Sequence, residues 1–142
     1  MSVQNSKPKN NSKWILLGLV IVAVIVAAVF LFKPAPGTLP ATITVQQASE
    51  RIAKGAYLLD VRQQSEYDQA HVEGAVLIPL DQLSVRISEV PTNQDVLIIC
   101  HSGNRSAQAR DLLRAAGLNR TTSIDGGISA WMAAGLPVVT GP

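Results

Sequence analysis

One cysteine, Cys100, is all the chain contains, so no intramolecular disulfide can form. Aromatic side chains are also scarce: Trp14, Phe30, Phe32, Tyr57, Tyr67 and Trp131. Three of the six precede Lys33, so any core beyond that point must be mainly aliphatic. The two histidines, His71 and His101, stand apart, and no Cys/His cluster has metal-ligand spacing. No metal and no cofactor is therefore expected. Basic residues are not interleaved with aromatics anywhere, which argues against nucleic-acid binding. Acidic residues are absent before Glu50. The net charge of +2 consequently misdescribes the rest of the chain. From Thr38 onward eight Lys or Arg face ten Asp or Glu, a balance of −2. No internal repeat is visible.

The longest uncharged apolar run extends from Trp14 to Phe32, 19 residues in all. As a helix it would measure about 28 Å at 1.5 Å per residue, against a bilayer core of about 30 Å. It is apolar on every side, bracketed by Lys13 and Lys33, and opened by an aromatic. These features predict a transmembrane helix over residues 14–32. A cleaved signal peptide would carry a shorter apolar stretch and a small-x-small site. Here the run ends Val29-Phe30-Leu31-Phe32-Lys33-Pro34, and Ala35-Pro36-Gly37 is a poor cleavage candidate. An uncleaved signal anchor fits better. Lys7, Lys9 and Lys13 precede the span, whereas Lys33 is the one base between it and Arg51. The positive-inside rule then places the polar tail, residues 1–13, in the cytoplasm and the remainder on the other, periplasmic side. Residues 33–40 hold three prolines and a glycine and read as a stiff linker. Residues 41–142 suffice for one domain with one core.

Within that domain strands and helices alternate. Thr44-Val45-Gln46-Gln47 predicts a capping box opening a helix to Ala53, ended by Gly55. Tyr57 to Leu59 reads as a strand, Ser65 to Gln69 as a helical turn, and Ala75 to Ile78 as a strand closed by Pro79. Leu83 to Val90 is expected to be helical. A strand at 96–99, a helix at 106–116, a strand at 121–124 and a helix from Gly126-Gly127 through Trp131 complete the series. Apolar strands alternating with helices predict an α/β fold with a parallel sheet covered on both faces.

Cys100 ends the apolar run Val96-Leu97-Ile98-Ile99 and opens the loop His101-Ser102-Gly103-Asn104-Arg105-Ser106. The thiol therefore sits at the carboxyl end of a strand, facing the amino end of a helix, where open α/β sheets bind ligands. Unpaired amides and the helix dipole favour an anion there, and Arg105 adds a positive charge. This setting fits either an inert core cysteine or a reactive thiol. The loop weighs toward the second. Gly103 and Asn104 tolerate left-handed backbone, which lets a chain curl its amides around one point.

Four stretches together resemble the rhodanese family. Leu59-Asp60-Val61-Arg62, Glu66-Tyr67, His71-Val72-Glu73-Gly74-Ala75 and Ile78-Pro79-Leu80 are similar to its opening signature. Cys100 through Ser106 resembles its active-site loop, and Gly126-Gly127-Ile128 with Ala130-Trp131 its closing motif. The likeness covers about Thr42 to Val139. It implies a small three-layer domain built on a five-stranded parallel sheet. It also implies a sulfurtransferase. Cys100 would attack the sulfane sulfur of a thiosulfate, persulfide or polysulfide donor and pass it to a thiol or cyanide. His101, Ser102, Gly103, Asn104, Arg105 and Ser106 would bind the substrate, Arg105 holding the anionic donor. Asp60 and Arg62 form either a support that orients the loop or a structural ion pair. His71 and Trp131 are expected to pack. Cysteine phosphatases use a similar loop with five residues between cysteine and arginine; here four intervene, a ring too tight for phosphate. A non-catalytic docking or redox-sensing module is the other reading. A membrane-bound partner in sulfur metabolism would account for the anchor.

Overall fold

Leu58 and Leu59, like the four residues of Val96-Leu97-Ile98-Ile99, are apolar on consecutive positions. Side chains alternate between faces along a strand, so such segments must be covered on both sides. The computed structural model describes Ile15, residues 18–22 and residues 37–142. From Thr42 the order is β1 (Thr42–Ile43), α1 (Val45–Ala53), β2 (Tyr57–Asp60), α2 (Gln64–Gln69), β3 (Val76–Leu77), α3 (Leu80–Leu83), a 3-10 turn (Ile87–Glu89), β4 (Val96–Ile99), α4 (Asn104–Ala115), β5 (Thr121–Ile124) and α5 (Gly127–Ala133). The five strands form one sheet in the order β1-β5-β4-β2-β3. Every pairing is parallel.

Two apolar layers follow from the alternation. Leu58, Leu97, Ile99 and Ile124 meet Val45 and Ala48 of α1 and Ile128 and Trp131 of α5. On the opposite face Leu59, Val96, Ile98 and Cys100 meet Leu83 of α3 and Ala109 and Leu113 of α4. Cys100 thus continues the Val96-Ile98 face, which aims its side chain toward α4. β4 lies at the centre of the sheet. The chain runs outward from β2 to β3, then returns to the other side of β2 to form β4. That reversal is the switch point where α/β folds open a crevice.

The helix opened by Thr44 has its capping box: Gln47 N–H donates to Thr44 Oγ1 at 3.3 Å, and Thr44 N–H donates to Gln47 Oε1 at 3.1 Å. Several boundaries differ from expectation. β1, only two residues long, has no periodicity to announce it; it is fixed by pairing with Ser123 and Ile124. The helix expected over Leu83–Val90 instead begins at Leu80, directly after Pro79, and stops at Leu83 before the separate 3-10 turn. Proline suits the start of a helix because its missing N–H would be unsatisfied there anyway. α4 starts at Asn104, two residues earlier than expected.

The chain divides into two compact units, residues 1–35 and 36–142. Of the expected span over 14–32, Ile15 and residues 18–22 are described; they are helical, and Leu19 and Val22 are exposed. Its remainder, the tail 1–13 and linker residues 33–36 lie outside the described residues. Among the described residues no helix is long and apolar enough to cross a membrane. Leu39 and Pro40, expected in the linker, belong to the domain's bonding: Arg114 Nη2 donates to their carbonyls at 2.7 and 3.2 Å.

Candidate active site

Cys100 leaves β4 on the α4 face, and α4 begins four residues later. A helix start carries N–H groups without intrahelical partners. Gly103, the residue before the helix, makes the turn with φ 102°, a left-handed conformation suited to glycine. Its N–H donates to Cys100 Sγ at 3.1 Å. Ser106 Oγ lies 3.5 Å from Sγ. The thiol can donate to that hydroxyl, and a thiolate can accept from it. Ser106 Oγ also donates to Gly103 O at 2.9 Å and lies 2.8 Å from Ser123 Oγ on β5. Burial pushes the Cys100 thiol up, but donation from the Ser106 hydroxyl and from the amides of Ser106, Gly103 and Ser102 outweighs it. The net effect holds the thiol below its ordinary pKa.

The sulfur is buried, although a reactive thiol at a strand end is ordinarily an exposed one. Cys100 is 1% exposed. The alternation of β4 turns it inward, and the loop closes around it. It lies in the aliphatic layer of Ile98 and Leu113, yet amide hydrogens point at it.

α5 holds the loop from outside. Ile128 N–H donates to Cys100 O at 2.8 Å, and Ser129 N–H donates to His101 O at 3.2 Å. In a trans peptide the N–H points opposite to the C=O. Pulling these two carbonyls toward α5 therefore turns the amides of His101 and Ser102 away from it. Gly127 permits the approach. A Cβ there would overlap Cys100 O and lie 2.7 Å from His101 O.

Arg105, the expected donor-binding cation, bonds Glu66 of α2: Nη1 to Oε2 at 2.7 Å and Nη2 to Oε1 at 2.8 Å. Asp60 and Arg62 form a buried pair with Nη2 to Oδ2 at 2.6 Å. Arg62 also donates to the carbonyls of Glu66 and Ala70 at 3.2 and 2.8 Å. Its side chain fastens α2 and does not bond the loop. Asp60 and Arg62 thus form a buried ion pair beside the loop; Arg62 holds the backbone of Glu66, and the Asp60 charge acts on Arg105. His101, Ser102 and Asn104 are exposed; His101 Nε2 lies 3.4 Å from Ser129 Oγ. His71 packs as expected, stacked on Tyr67 with ring centroids 3.7 Å apart, its Nδ1 2.9 Å from Tyr67 O. Trp131 is buried, its Nε1 donating to Pro137 O.

A cavity of about 190 Å³ adjoins the loop, lined by Arg62, Glu66, Gln69, His101, Ile128 and Met132 among others. A larger one of about 500 Å³ lies at the amino ends of β2 and β4, beside Arg51 and Asp95, away from Cys100. Among the described residues no group of three or more His, Cys, Asp or Glu could hold a metal ion. Sequence reasoning gave no role to Glu66, Ser123 or the α5 amides. Each meets the loop from a distant part of the chain; Glu66 and Ile128 stand within the motifs quoted above, but nothing in those motifs ties them to the loop, and Ser123 stands in none.

Fold and loop define a class: α/β domains that present a cysteine inside a turn of backbone amides at the carboxyl end of the central strand. Within that class the chain belongs to the rhodanese family; the Rhodanese-like domain matches residues 44–134. A protein named sulfurtransferase from Allochromatium vinosum is 37% identical over 99 residues, 68% of this chain and 92% of that protein. The crystal structure of a rhodanese-related protein from Thermoplasma volcanium superimposes with a TM-score of 0.66 at 32% identity, covering 70% of this chain and 98% of that one. The solution structure of a rhodanese-like domain from Anabaena gives a TM-score of 0.66 at 28% identity, over 72% and 80%.

Proposed function

We propose that the domain is a sulfurtransferase in which Cys100 carries the sulfur as a persulfide. The observation that carries this reading is the sulfur's setting: Gly103 N–H donates to it at 3.1 Å, and the amides of Ser102 and Ser106 also favour its anion. Such a ring stabilises a thiolate before reaction and a terminal persulfide anion after it. The donor is thiosulfate or a persulfide or polysulfide; the acceptor is a thiol or cyanide. The thiolate forms a bond to the donor's outer sulfur while the donor's own S–S bond breaks. Thiosulfate would release sulfite, and an organic persulfide would release a thiolate. In the second half the acceptor takes the outer sulfur and Cys100 leaves as thiolate. No net oxidant is needed. This is ping-pong covalent catalysis. Ser102, Gly103 and Ser106 serve the sulfur directly. His101, Asn104 and Arg105 form the rim that a donor meets. Residues 14–32 anchor the domain to a membrane, with the catalytic part on the non-cytoplasmic side and near a membrane-bound partner in sulfur metabolism.

The test is a mass measurement on the intact chain after incubation with thiosulfate or polysulfide. A gain of about 32 Da at Cys100, lost on adding cyanide, is the expected result. Cys100→Ser should abolish loading and transfer, leaving the circular dichroism spectrum unchanged. Transfer retained in a folded Cys100→Ser chain would rule out the covalent scheme.

A further inference from the structure

Arg105 is the loop's one cation, and its charge is already matched. Both terminal nitrogens of the guanidinium bond both oxygens of Glu66 at 2.7 and 2.8 Å, a fork-to-fork pair. Glu66 is itself fixed. Its Oε2 accepts Gln63 N–H at 3.2 Å, and α2 is fastened by Arg62. The hydrogen bond with Arg105, against some burial, holds the Glu66 carboxyl down at about 2, so it stays ionised at neutral pH. Asp60 closes the charge of Arg62 in the same way. These four side chains beside the loop therefore sum to zero charge.

We propose that Glu66 is a specificity-determining residue that makes the loop select sulfane donors of single negative charge, such as organic persulfides, over the dianion thiosulfate. The proposal rests on the sulfurtransferase reading and narrows its donor. When Cys100 thiolate attacks thiosulfate, three negative charges converge: one on the thiolate and two on the donor. The products, a persulfide anion and sulfite, carry the same three. Attack on an organic persulfide anion gathers two, and a thiolate departs with the electron pair of the broken S–S bond. The amide ring provides dipoles for one sulfur anion. A second charge on the donor needs a cation, and Glu66 has taken the one the loop owns. Glu66 and Arg62 both line the cavity beside the loop and each is already paired, so it offers a donor no unmatched cation, while Ile128 and Met132 there offer apolar contact to an organic group.

Methanethiosulfonate separates charge from size. It is thiosulfate with a methyl group in place of one charged oxygen, and it gives up the same sulfane sulfur, releasing methanesulfinate. The full-length chain should show a KM for thiosulfate at least about tenfold above that for methanethiosulfonate, a modest share of a like-charge penalty. Glu66→Gln keeps an acceptor for Gln63 N–H and leaves Arg105 uncompensated. It should lower the thiosulfate KM about tenfold and the methanethiosulfonate KM less than about twofold. Glu66→Gln combined with Arg105→Gln should lose that gain. A pair that only tethers α2 to α4 would move both constants together. A wild-type preference for thiosulfate, or a KM ratio unchanged by Glu66→Gln, overturns the proposal and leaves sulfur transfer standing. If neither donor adds sulfur to Cys100 in the wild-type chain, the sulfurtransferase reading falls and this selectivity falls with it.

Discussion

A thiol that is 1% exposed and surrounded by aliphatic side chains would ordinarily be harder to ionise. Cys100 goes the other way because the Ser106 hydroxyl, and after it the amides of Ser106, Gly103 and Ser102 at the helix start, donate to it. Ser106 is the side chain in that set, and it has a single hydroxyl proton. Ser123, 2.8 Å away, can donate to Ser106 Oγ and leave that proton free for Gly103 O or for the sulfur. Ionisation of Cys100 draws it to the sulfur. Ser106→Ala should therefore raise the Cys100 pKa. At pH 7 the fraction of thiolate falls, and alkylation by iodoacetamide should slow on the order of tenfold, since a hydrogen bond to a charged group is worth about 1.5–3 kcal/mol. The pH profile of alkylation moves to higher pH while the plateau rate at high pH stays. An unmoved profile would remove the hydroxyl from the account. At this scale Cys100 and its loop were legible in sequence because strand, glycine and cysteine are contiguous. Glu66 was not, since its partner Arg105 is 39 residues away and only the folded chain joins them.

The loop is shaped between two helices used in different ways. α4 turns its free N–H groups toward the sulfur, whereas α5 turns its own toward the loop's carbonyls. The junction needs α5 within bonding distance of Cys100 O, and only a residue without Cβ allows it at 127. Gly127 also has φ 57°, so an alanine there bears a backbone cost of about 1–2 kcal/mol besides the overlap. Gly135, φ 71°, offers a control, because nothing lies within 4 Å of its virtual Cβ. Gly135→Ala should lose about 1–2 kcal/mol in urea unfolding and keep the wild-type alkylation profile. Gly127→Ala should lose more and also shift that profile to higher pH, as the loop amides swing off the sulfur. Equal losses with no shift would mean that α5 does not set the loop. Elements with strong patterns, β4, β5 and α1, matched expectation closely. β1 and α3 did not, because segments of two and four residues carry no period to read; they are specified by pairing with β5 and by packing of Leu83.

On the scale of the whole molecule, parallel strands and helices on both faces could be read from alternation alone, but the strand order could not. Which strand neighbours which depends on contacts such as β1 with β5, made across most of the domain's length. The boundary of the folded unit is likewise set by tertiary bonds. Arg114 Nη2 reaches the carbonyls of Leu39 and Pro40, Arg110 Nη1 reaches Ala41 O at 3.0 Å, and Ser123 N–H donates to Ala41 O at 3.0 Å. A cut before Gly37 spares all of these, whereas one after Ala41 would strip them away. This gives the proposed anchoring and orientation a sharp test. Intact spheroplasts bearing the chain are treated with proteinase K, which also reaches lysine–proline segments that trypsin leaves. If residues 14–32 span the membrane with the domain outside, cleavage near residues 33–36 releases a fragment beginning close to Gly37. That fragment should remain folded and accept sulfur at Cys100, because the bonds from Arg110, Arg114 and Ser123 to Leu39, Pro40 and Ala41 are retained. A chain protected until lysis would reverse the orientation, and a chain shed from the spheroplasts before protease is added would remove the anchor.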